Sequence, residues 1–186
     1  MIYPIVAYGD PVLKKRAKEI DKNDSSLNLK KLVEDMYETM YYANGVGLAA
    51  PQIGLSLRLF VIDADKMDES LTGYKKVFVN PTLLNEEGEK WAFEEGCLSI
   101  PTIREEVFRP QRITIHYFDT DWNEFTEIFD GLPARVIQHE YDHIEGILFT
   151  DHLSPFKRTL LRNKLNRISK GDVKVDYRMR FPTGRR

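Results

Sequence analysis

Apolar positions recur along the chain with two periods, and the changes of period mark its elements. From residue 29 to 43, Leu29, Leu32, Val33, Met36, Met40 and Ala43 fall three and four apart, which predicts one amphipathic helix with Ser25 or Ser26 upstream as its cap. Asp10 followed by Pro11 suits an N-cap and first helical position and predicts a short helical turn near residues 11–16. Residues 44–54 carry three glycines and a proline and read as a loop. Period two then takes over in short runs rich in β-branched and aromatic residues at 57–62, 76–84, 91–94, 113–118 and 124–129. Turn chemistry separates them, notably Glu87-Gly88 and the polar stretch 119–123.

The helical period returns after Asp130, with Leu132, Val136, Ile137, Tyr141 and Ile144 in step and Gly146 where a C-terminal cap belongs. Pro155 opens a last helix through Ile168, with Phe156, Leu160, Leu161, Leu165 and Ile168 read as one face and Gly171 ending it. The class is therefore α+β, with mostly antiparallel sheets. No internal repeat interrupts it, and 186 residues suit a single domain, 1–186.

Composition changes this picture in three ways. With 42% hydrophobic and 30% charged residues, no run approaches the roughly 18 apolar residues of a membrane span. The first twenty residues carry no readable export signal, so no membrane partner and a cytoplasmic address are expected. Charge divides a core, 1–154, from a basic C-terminal helix and tail, 155–186. The latter holds eleven Lys or Arg against Asp172 and Asp176, a net of +9 that leaves −11 for the core out of the formal −2. The single cysteine, Cys97, rules out an internal disulfide, so its thiol is either an inert core group or a chemical one.

His139 and His143 lie four apart in the predicted helix, a rotation of about 400° and a rise of about 6 Å, so both imidazoles project toward one point. That point suits a metal. Glu140 follows the first histidine and lies beside such an ion, positioned for proton transfer to and from a water that the ion activates. A catalytic site needs a third protein ligand. Glu145, Asp151 and His152 lie downstream and Cys97 lies upstream, and spacing does not choose among them. His116 reads as an exposed strand residue without a role, and Asp142 either pairs with a nearby arginine or is a solvated helix charge.

Three separated stretches occur in the order of the peptide deformylase family: Gly45-Val46-Gly47-Leu48-Ala49-Ala50-Pro51-Gln52, Glu95-Gly96-Cys97-Leu98-Ser99 and Gln138-His139-Glu140-Tyr141-Asp142-His143. The chain resembles that family from residue 1 to about 168, departing at an apparent lengthening near 66–74 and in the tail after Gly171. The resemblance implies a central metal-binding helix. Its ligands are then Cys97, His139 and His143, and its ion is Fe(II), with zinc, nickel or cobalt as substitutes. It implies an amidohydrolase that removes the formyl group from N-formylmethionyl nascent chains and releases formate. Glu140 would be general base and acid, Gln52 and the Leu98 N–H would stabilise the oxyanion, and the loop at Gly47 would pair with the extended peptide.

The resemblance also nominates Val46, Phe93, Leu132, Arg135, Val136 and His139 as walls of the methionine pocket. Arg135 is expected to pack its stem there while its guanidinium reaches water. Since the family docks through a C-terminal helix, Lys157, Arg158, Arg162, Lys164 and Arg167 imply a ribosome partner rather than DNA. Arg178, Arg180, Arg185 and Arg186 read either as additions to that attraction or as a disordered end. Two rival functions share the two-histidine helix. A zinc endopeptidase would take its third ligand downstream, and a non-catalytic metal- or ribosome-binding module would bind metal without turnover.

Overall fold

The computed structural model describes residues 1–182, so Arg185 and Arg186 lie outside the described residues. Helix α1 spans Leu29–Tyr42, and its cap is Asn28, whose side-chain oxygen accepts the Lys31 N–H at 3.1 Å. The expected caps fail on distance along the chain. Ser26 instead turns back and bonds Asp24. The buried face of α1, with Leu32, Val33, Met36 and Met40, packs with Leu48, Leu59 and Val61.

Five strands form one antiparallel sheet in the order β2-β3-β4-β5-β6: β2 Gly47–Ala49, β3 Leu59–Asp63, β4 Lys75–Cys97, β5 Ile100–Phe118 and β6 Glu124–Asp130. Strand β2 and a 3-10 turn at Ala50–Ile53 occupy what reads from sequence as plain loop. The runs at 76–84 and 91–94 are one strand, because Glu87-Gly88 is no hairpin turn. The register slips between Glu87 and Lys90, and Gly88 at φ 86° takes up the extra residue as a bulge. The turn at 119–123 does form, with Asp119 accepting the backbone N–H of Asn123 at 2.9 Å.

Helix α2, Gly131–Ile144, follows β6 directly and ends at Gly146 in the left-handed region, φ 75°. Ala134, Ile137 and Ile144 sink into a cluster with Phe60, Phe78, Ile113 and Ile115 of the sheet, which fixes the rotation of the helix. Helix α3, Pro155–Ser169, buries Leu161, Leu165 and Ile168 against Ile100, Val107 and Phe149. Phe156 and Leu160, expected on the same face, are 72% and 64% exposed. At about 100° per residue they occupy an arc centred roughly 120° from the buried three.

Beyond α3, β7 at Met179–Arg180 runs parallel to β1 at Ile5–Val6. Val173, Met179 and Phe181 pack under α3, so the reading of the tail as disordered fails for Asp172–Pro182. Among the described residues no helix is long and apolar enough to cross a membrane.

Candidate metal centre

The closing end of the β4–β5 hairpin, where Cys97 pairs with Ile100, comes down onto α2 at its two histidines. Cys97 Sγ and one ring nitrogen each of His139 and His143 lie within 4.8 Å of one another, and Sγ is 3.4 Å from His143 Nε2. A tetrahedral ion with ordinary metal–sulfur and metal–nitrogen bonds spans an S···N edge of about 3.5 Å, so the donor set fits one divalent transition metal. The downstream candidates are engaged elsewhere. Glu145 pairs with Arg58 at 2.7 Å, Asp151 with Lys14 at 2.5 Å and His152 with Asp142 at 2.7 Å.

A buried carboxylate orients the first histidine. Glu95 accepts the His139 Nδ1–H at 2.9 Å on Oε1, which turns Nε2 toward Cys97 and fixes the tautomer. The same carboxylate takes Arg109 Nε and Arg135 Nη1, each at 2.8 Å on Oε2, and Arg109 Nη2 at 3.0 Å on Oε1. Arg109 also reaches Asp142 at 2.8 Å, so Asp142 is the arginine partner rather than a solvated charge. Burial alone would raise the Glu95 pKa, but the hydrogen bonds from His139 and Arg109 win and hold it well below the usual carboxylate range. For His139, burial disfavours the cation while its contacts with Cys97 and Glu95 push it up to about 10. Burial keeps His143 well below the ordinary range.

Arg135 corrects the sequence reading: its guanidinium does not reach water. Only 2% of the residue is exposed, and its Nη1 and Nη2 donate to Glu95, the Val107 carbonyl at 2.9 Å and the Trp91 carbonyl at 2.6 Å, while Nε has no partner among the described residues and the guanidinium carbon lies 4.7 Å from the Trp91 ring centre. A buried carboxylate that already serves a histidine supplies the countercharge a buried arginine needs.

Glu140, between the two histidines in sequence, lines a cleft of about 610 Å³. Burial pushes it up to about 7, and its Oε2 has no hydrogen-bond partner among the described residues. Gly47 crosses directly over this carboxylate, where an added Cβ would lie 2.6 Å from Oε1. Gln52 is buried beside the cysteine: its Oε1 accepts the Ala49 N–H at 3.0 Å, which forces the amide nitrogen toward Cys97 Sγ at 3.4 Å and Ser99 Oγ at 3.3 Å. Leu98 and the expected wall residues Val46, Phe93, Arg135, Val136 and His139 line the cleft, whereas Leu132 is half-buried and outside that lining.

Sequence reasoning assigned no role to Glu95, Arg109 or Tyr177. Glu95 was visible two residues before Cys97, but its partners come from β5 and α2 and need the tertiary fold. Tyr177 lines the cleft from the tail. The strict alternation of apolar and polar residues from Asp172 to Phe181 was the signal that could have found it.

Comparison with known proteins agrees with this geometry. The family model described as Polypeptide deformylase matches residues 2–159. The peptide deformylase of Cytophaga hutchinsonii is 60% identical over 183 residues, covering 98% of both chains, and that of Christiangramia forsetii is 56% identical over 196, covering 100% of this chain and 99% of the other. Among solved structures, a peptide deformylase from Legionella pneumophila superposes with a TM-score of 0.79 at 42% identity, covering 92% of this chain and 98% of its own. One from Thermotoga maritima does so at 0.75 and 45%, covering 83% and 99%.

Proposed function

The chain belongs to the polypeptide deformylase family, metal-dependent hydrolases that remove the N-formyl group from nascent polypeptides, and from that premise we propose how its own residues divide the work. Cys97, His139 and His143 hold the metal, and the observation that carries this is their convergence beside a buried carboxylate with a free oxygen. When bound, the ion supplies Lewis acidity, lowering the pKa of a water and polarising the formyl oxygen. The ion is ferrous iron in this reading. One thiolate and two imidazoles also accommodate zinc, nickel or cobalt.

Glu140 takes the water's proton on Oε2 and returns it to the departing amine. A carboxyl held near 7 can do both at neutral pH. As negative charge grows on the formyl oxygen, the Gln52 amide and the Leu98 N–H donate to it, and Gln52 is preset for this because Ala49 fixes its other end. Gly47 brings the β2 backbone close to the extended substrate, while Val46, Phe93, Arg135, Val136 and His139, which line the cleft, are assigned to the methionine side chain, and Leu132, which does not line it, is left out. The Arg135 contribution is then its stem and its hold on Glu95, not a wet charge.

Residues 1–186 act as one catalytic domain in a cytoplasmic enzyme of N-terminal methionine processing, with the region from 155 onward turned to a ribosomal partner. Five basic side chains on α3, of which Lys157 pairs with Glu105 and Arg167 with Asp172, favour that docking surface. The zinc endopeptidase reading loses its support because Glu145, Asp151 and His152 all have other partners. The decisive experiment is formate release from formyl-Met-Ala-Ser by anaerobically purified protein and by Glu140→Ala. Turnover should fall roughly 10²- to 10⁴-fold with metal retained, since Glu140 is not a ligand. A variant that loses its metal, or turns over normally, refutes the assignment.

A further inference from the structure

Residues 172–182 lie past the end of the family match at residue 159, yet Lys174, Val175, Asp176 and Tyr177 among them line one side of the cleft. In the extended segment Val173, Val175, Tyr177, Met179 and Phe181 are half-buried, while the residues between them are exposed. The segment is tied down at its far end, where the N–H groups of Ile5 and Ala7 donate to the carbonyls of Arg178 and Arg180 at 2.8 and 2.9 Å. The Arg180 guanidinium lies over Gly54, where a Cβ would come within 2.8 Å of it, and faces Asp10 at 3.6 Å.

Tyr177 is the point at which this strap meets the reaction frame. Its hydroxyl donates to the Leu98 carbonyl at 2.8 Å. The Leu98 side chain is seated over Gly45, where an added Cβ would lie 2.8 Å from Cδ1. The seated side chain and the held carbonyl fix two of the bonds at the Leu98 Cα and so the position of its amide nitrogen; the N–H lies in the Cys97–Leu98 peptide plane, whose rotation this anchoring restrains. Burial, chiefly, and the neighbouring Cys97 hold the phenol well above its ordinary range, so it remains a donor.

We propose that Tyr177 is a positioning residue for deformylation, its hydroxyl fixing the Leu98 backbone so that the Leu98 N–H points at the formyl oxygen. The inference rests on the reading of Leu98 as an oxyanion donor. It makes the tail part of the reaction frame rather than an appendage, through an oxygen bonded to the Leu98 carbonyl.

Tyr177→Phe removes that oxygen and keeps the ring. The expected result is a fall in kcat of about 5- to 20-fold, a fraction of the roughly 10²- to 10³-fold cost of losing such a donor outright. KM should stay within about 2-fold, because the interaction is made good only in the transition state. Metal content should be unchanged, and in zinc-loaded protein the Leu98 amide should exchange faster with deuterium. Placing 4-aminophenylalanine at 177, whose N–H can donate to the same carbonyl, should restore kcat, whereas 4-methoxyphenylalanine should not. Unchanged kcat with unchanged Leu98 exchange overturns the role of Tyr177. Faster exchange with unchanged kcat overturns it differently, by removing Leu98 from the oxyanion site. If the phenylalanine variant melts early, the amino and methoxy replacements decide, and equal kcat in those two overturns the proposal.

Discussion

Gly47→Ala places a methyl group against the carboxylate of Glu140, the proposed general base. The new Cβ would sit 2.6 Å from Glu140 Oε1, 2.8 Å from Cγ and 2.9 Å from Cδ. An unstrained carbon–oxygen contact is about 3.3 Å, so the carboxylate must retreat by roughly 0.7 Å. Its backbone is anchored in α2 between His139 and Tyr141, and β2 is held by pairing with β3, so the side chain is the part that gives. A misplacement approaching 1 Å at a reacting group costs on the order of 10²-fold, about 2.7 kcal/mol of barrier. The variant should therefore show kcat down about 100-fold, metal content unchanged and KM altered far less. The assay is steady-state formate release with formyl-Met-Ala-Ser, run beside metal analysis and a thermal melt. If KM rises and kcat holds, Gly47 serves the peptide backbone and not Glu140. Wild-type values for both would refute the steric reasoning altogether.

Glu95→Ala strips the countercharge from buried Arg109 and Arg135 together, so urea unfolding should show a loss of about 3–5 kcal/mol, and a loss under 1 would mean that solvent reaches the arginines. The iron form should lose activity in air while a nickel form persists, because ferrous ion and the Cys97 thiolate are both oxidisable; equal aerobic lifetimes would contradict this. Ribosome co-sedimentation should weaken with salt and should drop when Lys157, Arg158, Arg162, Lys164 and Arg167 are neutralised together, with deformylation of free peptide unaffected. Equal pelleting of both proteins would remove the docking role.

The parts of this structure legible from sequence are those whose signals are local. Helix α2 announces itself through its periodicity, its start at Asp130 and its stop at Gly146, and the two histidines four apart follow from helix geometry alone. The turn chemistry of Glu87-Gly88 predicts two strands where the structure has the continuous β4, and only the pairing with β5 reveals a bulge there. The apolar face of α3 was drawn too wide for a related reason: Leu160 and Leu161 are adjacent in sequence but about 100° apart on the helix, and contact with Phe149 and Ile100 decides which is buried. Sequence puts the head of Arg135 in water because nothing within its own helix foretells that Glu95, forty residues earlier, pairs with it. The resemblance supplied Cys97; spacing alone had left four candidates for the third ligand.

The parallel pairing of β1 with β7 has a bearing on when the enzyme becomes competent. Met179 lies 174 residues after Ile5, so this contact closes nearly the whole chain into a loop. Closure of so long a loop adds only logarithmically to the entropic cost, but it cannot begin before residues 179 and 180 have been made and are free to move. During synthesis the helices, the five-stranded sheet and all three sulfur and imidazole donors are completed first, while the strap bearing Tyr177 is still leaving the machine that makes it. The side of the cleft formed by this strap is thus added after the metal donors are in place. A fusion or stall sequence set close behind residue 182 would restrain this last step without altering a single residue of the metal centre.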